Sequence, residues 1–170
     1  MLALASTWSA GAPEAARTHD DHPHANPTEG TAGAEMAAAA APCVGGLAGT
    51  FRCANVDLLA ALPLTSLGET SSGRANDVSG WTDSQTGREY AIIGLSNGTS
   101  FVDITVPDNP VFLGRLPTHT VNSLWRDMEV HADHVFIVSE ASGHGMQVFD
   151  LAELLDMSVA YRRSLVEFEP

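Results

Sequence analysis

The chain has 170 residues, 44% of them hydrophobic, so it is the size of one domain, or one and a part, and can bury a core. Its 21 acidic residues against 8 basic ones give a net charge of −13, and such a chain is repelled by nucleic acid and by anionic membrane surfaces. No apolar run reaches the roughly 18 residues that a membrane span needs. We therefore expect neither nucleic acid nor a bilayer span.

Residues 1–41 differ in composition from the rest of the chain. They are rich in alanine and proline and lack the apolar periodicity of a core-facing element, so we expect a disordered leader or linker. The start, Met1–Trp8, resembles the end of a secretory signal peptide without its basic region. Two interpretations stay open, a remnant of a signal peptide or an alanine-rich leader. The run His19–His24 could bind a metal weakly, but such a run in a tail is usually incidental.

Segment 42–75 contains both cysteines of the chain. Cys43 and Cys53 are separated by a connector with three glycines, which is flexible enough to bring the two side chains together. An even cysteine count in an acidic chain without lysine favours an oxidising compartment. We predict a disulfide between them, with two reduced, buried thiols as the alternative. The segment is expected to lead into the repeats that follow.

From residue 76 onward the sequence predicts short strands separated by turns. The first, Asp77–Trp81, precedes the near-continuous apolar run Tyr90–Leu95. Asn97-Gly98 then predicts a hairpin, because both residues tolerate positive φ. Thr99–Thr105 returns as the partner strand, and Val111–Leu116 follows a proline-rich turn. Four antiparallel strands joined by short turns predict a meander.

The same order recurs farther along the chain. The matching strands are Asp127–His131, Val135–Glu140 and Met146–Leu151, and Arg163–Phe168 could be the fourth. Between the last two, Ala152–Met157 has helical propensity and predicts a turn of helix. A four-stranded unit that recurs after about 40–50 residues is typical of β-propeller blades.

The fold class that we predict is all-β, with two four-stranded antiparallel blades in domain 76–170, near 76–118 and 126–169. Two blades do not close a propeller, so the chain is expected to be an incomplete propeller, with an eight-stranded sandwich as the alternative. Open blade edges favour self-association. The residues predicted to stack the blades face to face are Ile92, Ile93, Phe101, Val102, Phe136, Val138, Val148 and Phe149.

Several of these stretches closely resemble the choice-of-anchor B proteins, a secreted family with LVIVD-type propeller repeats. Phe101-Val-Asp-Ile and Val148-Phe-Asp-Leu look like the repeat's own signature, and Cys43 to Cys53 followed by Asn55–Leu59 fits the family's N-terminal part. The resemblance covers roughly 42–154. The stretches that carry it are Asn76–Asp83, Gly87–Thr105, Leu113–Thr118, Ser123–Asp127 and Ser139–Leu151.

The resemblance implies export, attachment to the cell surface through a C-terminal anchor, and more blades than the two seen here. It implies no established activity, because architecture rather than chemistry defines the family. After Leu154 the sequence departs from the family's pattern, and we expect this chain to contain only part of the propeller. That departure puts surface attachment of this chain in doubt.

Two aspartates, Asp103 and Asp150, recur at the end of the third strand of each repeat. A carboxylate there can accept hydrogen bonds from turn N–H groups, and a repeated position favours this structural role over catalysis. Trp81 and Trp125 are expected to pack between blades, with a rim aromatic that binds sugar or peptide as the alternative. Arg126 could pair with Asp127 or with a carboxylate of the neighbouring blade.

Two further groups could carry chemistry. His131 and His134, with Asp133 between them and Glu129 nearby, could converge on a metal, but a polar β-turn explains them better. A Glu140–His144 pair could act as general base and orienter. No nucleophile motif, phosphate loop or dinucleotide fingerprint accompanies that pair, so we expect no catalytic residue, metal or cofactor. The candidate ligand-contact residues are Arg126, Asp127, Glu140 and His144.

The function expected from these observations is that of an extracellular or cell-surface propeller that serves as a binding or scaffold module for a protein or glycan ligand. The alternative is an extracellular hydrolase or lyase with acidic and histidine residues gathered at the propeller channel.

Overall fold

The computed structural model describes residues 2–4 and 38–157, and the protein is mostly β. Expectations that fall elsewhere, including His19–His24 and the strand Arg163–Phe168, lie outside the described residues. Within the described part, apart from a helical stretch at 153–157, there are eleven strands and one 3-10 turn, η1. In chain order they are β1 (Leu2–Leu4), β2 (Leu47–Ala48), β3 (Phe51–Arg52), β4 (Ala60–Leu62), η1 (Leu64–Leu67), β5 (Ala75–Thr82), β6 (Glu89–Leu95), β7 (Gly98–Asp103), β8 (Val111–Pro117), β9 (Arg126–His131), β10 (His134–Ser139) and β11 (Met146–Asp150).

A disulfide joins Cys43 to Cys53, with 5.8 Å between the two Cα atoms, which confirms the predicted bond. The disulfide closes a loop, and the small antiparallel hairpin of β2 and β3 lies inside this loop. At its base, the Cys43 backbone N–H donates to Asp57 Oδ1 (2.8 Å) and the Cys53 N–H donates to the Gly46 carbonyl (3.0 Å). The covalent loop is therefore also pinned by hydrogen bonds.

Strand β4 is the centre of the N-terminal part. It pairs antiparallel with β1, and the backbone of Ala61 also exchanges hydrogen bonds with Ala38. Ala41 and Leu58 form a second bridge of the same kind. Paired backbone thus occurs ahead of residue 42, both at Leu2–Leu4 and at Ala38, within the segment for which the sequence predicts a disordered leader or linker.

The first sheet consists of β5, β6, β7 and β8 in that order, all antiparallel. This is the predicted four-stranded meander, and each predicted strand falls within two residues of an observed one. Its two central strands, β6 and β7, are buried along almost their whole length. A sheet buried on both faces needs apolar residues at successive positions, which explains the continuous run Tyr90–Leu95.

The second sheet consists of β9, β10 and β11, again an antiparallel meander in chain order. Residues 153–157, which follow β11, are helical, as predicted. In the described part of the chain no helix is long and apolar enough to cross a bilayer.

The two sheets pack against each other through one face of each. Alternate residues of β10, Val135 and Ile137, are fully buried against the first sheet, whereas Val138 is 42% exposed. The prediction that Phe136, Val138 and Val148 stack the sheets is therefore wrong, because the pleat turns them to the opposite face. The buried core between the sheets contains Trp81, Tyr90, Ile92, Phe101, Met128, Val135, Ile137, Leu151 and Leu154, with Phe149 half-buried against it.

The opposite face of the first sheet packs against the N-terminal part rather than against the second sheet. Leu64 and Leu67 of η1 cover Ile93 and Val102 there. Ile93 and Val102 were also expected between the sheets, and the same alternation of the pleat explains the difference. Ser100 Oγ donates to the Leu67 carbonyl (2.6 Å) and holds η1 in place.

The hairpin between β6 and β7 forms as predicted, but with a different turn. Leu95 pairs with Gly98, so the loop residues are Ser96 and Asn97, and Asn97 does not have positive φ. Gly98 is needed for another reason, since a Cβ there would lie 2.3 Å from the Leu116 carbonyl oxygen of β8. The left-handed two-residue turn joins β9 and β10 instead, at 132–133, where φ is 48° and 59°.

The recurring aspartates have the role predicted for them. Asp103 Oδ1 accepts the backbone N–H of Thr105, and Asp150 Oδ1 accepts that of Ala152, both at 3.0 Å. Asp103 is buried and also forms an ion pair with Arg88, whereas Asp150 is exposed. The same turn is therefore capped in both repeats, with a stronger set of contacts in the first.

Removing the disulfide should lower the free energy of unfolding, because the bond restricts the unfolded chain. The loss should be about 2–3 kcal/mol, since the restriction is modest for a loop of this length. Chemical unfolding of the oxidised and reduced protein would measure the difference. A Cys43→Ser/Cys53→Ser variant should not respond to reductant; an equal response in that variant would show that the effect does not come from the disulfide.

Asp103→Ala should cost about 2–3 kcal/mol of stability, because it removes a charge-assisted bond and leaves Arg88 without this partner. Asp150→Ala should cost only about 0.5–1 kcal/mol, since its carboxylate is exposed. Urea unfolding would compare both with Asp108→Ala, which changes an exposed loop aspartate. Equal losses in all three variants would contradict the capping role.

Candidate functional site

The first strands of the two sheets, β5 and β9, lie side by side and are held by two side chains of β5. Asn76 Nδ2 donates to the Arg126 carbonyl (2.8 Å), and Asp77 Oδ2 accepts the Met128 N–H (2.9 Å). The residues of the first bond are 50 apart in sequence. Asn76 and Arg126 therefore occupy equivalent positions of the two repeats, as do Asp77 and Asp127.

A cleft of about 330 Å³ opens where these strands begin. Two pairings across β9 and β10 set its walls: the Glu140 N–H donates to the Trp125 carbonyl (3.2 Å), and Asp127 pairs with Val138. Because side chains alternate along a strand, these four share the face turned away from the first sheet. The residues that line the cleft are Asn76, Trp125, Arg126, Asp127, Val138, Ser139 and Glu140.

The cleft combines an exposed aromatic side chain with two exposed carboxylates. Trp125 is 56% exposed, unlike Trp81, which is buried, stacks on Tyr90 and donates from Nε1 to Asp133 Oδ1 (3.0 Å). The expectation of packing between the sheets therefore holds for Trp81 and is wrong for Trp125. An indole face beside carboxylates attracts a positively charged group, through cation–π and ion-pair interactions.

Arg126 extends toward the first sheet and is only 1% exposed. Its Nε donates to the Leu95 carbonyl (3.2 Å) and its Nη1 lies 3.2 Å from His144 Nε2, while Nη2 has no hydrogen-bond partner among the described residues. Burial lowers the pKa of Arg126. The expected ion pair with Asp127 or a neighbouring carboxylate is not formed within the described part of the chain.

His144 is buried beside Arg126, and both of its ring nitrogens are engaged. Nδ1 lies 3.1 Å from the Gly145 carbonyl, which can only accept, so Nδ1 carries the hydrogen. Nε2 is then the acceptor for the Arg126 guanidinium, which can only donate. Glu140 is not among its hydrogen-bond partners. Three of the four candidate ligand-contact residues therefore line the cleft, and the fourth lies behind them.

The connector between the sheets, residues 118–125, is bonded to the β6–β7 turn. The Thr118 N–H donates to the Asn97 carbonyl (3.1 Å), and the Ser123 N–H donates to the Ser96 carbonyl (3.0 Å). Around it lie all the buried side-chain polar atoms of the described residues that have no hydrogen-bond partner. These atoms are Asn97 Oδ1, Thr99 Oγ1, Thr118 Oγ1, Thr120 Oγ1, Arg126 Nη2 and Gln147 Oε1.

A buried carboxylate, Glu69, supports the same turn from the other side. Its Oε2 accepts Ser96 Oγ (2.5 Å) and the Asn97 N–H (3.3 Å), and its Oε1 accepts the Thr70 N–H (2.8 Å). Burial opposes ionisation, but these hydrogen bonds outweigh it and lower the pKa of Glu69. A Cβ on Gly73 would lie 2.1 Å from Glu69 Cδ, so only glycine leaves room for this side chain.

The histidines of the β9–β10 turn do not gather a metal site. Asp133 is bonded to Trp81, and His134 Nδ1 lies 2.8 Å from the Ala132 carbonyl. Among residues 38–157 no group of three or more His, Cys, Asp or Glu side chains could hold a metal ion. The polar β-turn that the sequence favours at 131–134 is confirmed.

Two contributors to this region escaped sequence reasoning. Asn76 could have been found, since it stands 50 residues before Arg126, at the equivalent position of the repeat. Glu69 had no such signal, because an acid in a polar turn looks like a solvated one. Comparison of the chain with family models, with curated proteins and with solved structures finds no match.

Glu69→Gln should lower the free energy of unfolding by about 1–3 kcal/mol at neutral pH, because a charge-assisted acceptor is lost. The pKa of Glu69 is lowered in the folded protein. The ionised carboxylate therefore stabilises the fold at pH values above its ordinary pKa of 4.5, and this stabilisation is lost as the pH falls through the folded pKa. The difference between wild type and variant should therefore shrink below about pH 4.5.

Urea unfolding across the pH range would measure this. Gly73→Ala should show a similar loss at neutral pH, because its Cβ displaces Glu69, whereas Glu89→Gln, at an exposed site, should change little. A difference between wild type and Glu69→Gln that stays constant down to pH 3 would contradict the role of the ionised carboxylate.

Proposed function

We propose that the chain is an extracellular propeller-repeat protein, of the type of the choice-of-anchor B proteins, that acts as a binding or scaffold module. It recognises its ligand at the cleft around Trp125, and we expect no catalytic activity. The observation that carries this proposal is the shared face of Trp125, Asp127 and Glu140, which puts an exposed indole beside two exposed carboxylates in one cleft.

The packing of the two sheets supports their interpretation as consecutive propeller blades. Each is an antiparallel meander in chain order, and they stack face to face. Their first strands are adjacent, as the inner strands of neighbouring blades are in a propeller. The bond from Asn76 to the Arg126 carbonyl joins equivalent positions of the two repeats, and Asp77 accepts the N–H of Met128, the residue after its own equivalent. The disulfide is compatible with an extracellular location.

The repeat also supports a binding role for Asp127. Its equivalent in the first sheet, Asp77, is occupied by the Met128 N–H, whereas Asp127 is exposed at the cleft. The ligand chemistry that fits is a lysine or arginine side chain of a protein partner. The net charge of −13 attracts such a partner at long range, and the indole and carboxylates bind it at short range.

An extracellular hydrolase or lyase is the competing function. A histidine that acts as general base needs a ring nitrogen that can reach the substrate, and both nitrogens of His144 already bond to Arg126 and Gly145. This arrangement favours binding over catalysis.

Binding of a short lysine-rich peptide should be at least tenfold weaker in Trp125→Ala and in Asp127→Asn/Glu140→Gln than in wild type. The probe is compared with the same peptide acetylated on its lysines, by calorimetry at two salt concentrations. Glu129→Gln is the matched control, since Glu129 is an exposed acid on the same strand that does not line the cleft.

An equal loss in the Glu129 variant would show that net charge alone drives binding, and equal binding of the acetylated peptide would exclude a cation site. Hydrolysis of ester or glycoside substrates that is lost in Glu140→Gln would favour the enzyme instead.

A further inference from the structure

A group of polar side chains lies between the two sheets at the end near the connector, on the side of β9 that faces the first sheet. On the first sheet, Gly94 and Thr99 are cross-strand partners. Each stands two residues from a core residue, Ile92 and Phe101 respectively, so both face the second sheet. A Cβ on Gly94 would lie 3.6 Å from Arg126 Cβ. Arg126 thus packs directly over Gly94, beside Thr99.

The second sheet and the connector contribute further polar side chains to this group. Gln147 stands two residues before Phe149, so it faces the first sheet, and its Nε2 donates to the Pro117 carbonyl (3.1 Å). Thr118 stands two residues after Leu116, which packs against the core between the sheets, so it faces the same way. Its N–H donates to the Asn97 carbonyl of the β6–β7 turn. His144 closes the side next to Arg126.

Four of the six polar groups that lack a partner can donate a hydrogen bond, namely the Arg126 guanidinium and the hydroxyls of Thr99, Thr118 and Thr120. Arg126 Nη2 carries two N–H donors, and the hydroxyls of Thr99 and Thr118 can each donate one hydrogen. The side-chain oxygens of Asn97 and Gln147 only accept and do not belong to this donor set. Buried polar atoms without partners are rare in folded proteins, and a group of them calls for a bound species.

Charge balance indicates which species fits. The Arg126 guanidinium is almost fully buried, and its described contacts are a backbone carbonyl and a neutral histidine, neither of which offsets its charge. A buried cation without a counter-charge is strongly destabilising. The lowered pKa of Arg126 has the same physical cause.

We propose that a small anion, of the size of chloride or of a carboxylate group, binds between the two sheets at Arg126 Nη2, with the hydroxyls of Thr99 and Thr118 as further donors. The anion neutralises the guanidinium and thereby fastens the second sheet to the first. Arg126 also borders the cleft, but the anion binds on the opposite side of β9 from Trp125 and Asp127.

The test is thermal unfolding of the full chain as sodium gluconate, whose anion is too large for the site, is replaced by sodium chloride or sodium acetate. Sodium concentration and ionic strength stay fixed, because cations also screen the net negative charge. The melting temperature of wild type should rise by about 5–10 °C when the anion reaches a hundredfold excess over its dissociation constant.

Thr99→Val and Thr118→Val keep the shape of the side chain and remove one donor, so each should weaken the anion dependence at least fivefold. Arg126→Met should abolish it, and if that variant does not fold, the two valine variants decide. Ser142→Ala, which removes an exposed hydroxyl in the β10–β11 loop, should leave it unchanged. A response to acetate and not to chloride would identify a carboxylate ligand.

Crystals grown with sodium bromide should show an anomalous peak within hydrogen-bond distance of Arg126 Nη2. Ordered water alone at that position, in crystals grown with bromide and in crystals grown with acetate, would overturn the proposal. The same holds for a wild-type melting temperature that does not depend on the anion, or for equal anion responses in wild type and the valine variants.

Discussion

The alternation of side chains along β9 and β10 is the constraint on which the rest of the molecule depends. The core between the sheets requires Met128, Val135 and Ile137 to face the first sheet. With that phase set, Arg126 must also turn inward, and Trp125 and Asp127 must turn outward. Burial of the apolar core thus forces a guanidinium into the interior and leaves an aromatic cleft on the surface. The cleft beside Trp125 and the buried guanidinium of Arg126 lie on opposite faces of the same strand, β9.

Strands and the disulfide could be predicted because their signals are local. Turn residues, β-rich runs and a glycine-rich loop between two cysteines are all readable within a few positions. Which side chains of those strands face the core was harder to predict. The run Val135–Val138 is apolar at every position, so it contains no polar residue that would show which side chains face the core, and the prediction placed Val138 on the wrong face. Only the packing partner decides the phase of such a strand.

The candidate site could be predicted only in part, because sequence shows the residue types but not which distant residues become neighbours. Asp127 and Glu140 could be singled out by their residue types, and the structure brings both to one cleft. The partners of Arg126 could not be predicted, because Leu95 and His144 lie 31 and 18 residues away and become neighbours only through the stacking of the sheets. The bond from Trp81 to Asp133, which spans 52 residues, is hidden from sequence in the same way.

The position of η1 makes the two outer faces of the stacked sheets different from each other. One side of the stack is closed, since Leu64 and Leu67 occupy the outer face of the first sheet. The opposite side is open in the described part of the chain, where Met146 (58% exposed) and Val148 (49% exposed) lie on the same face of the sheet as the exposed acids of β9. A further layer can therefore be added on only one side. A circular arrangement of sheets would have to wedge the η1 turn between its first and last members, so the N-terminal segment would act as the seam of such a ring.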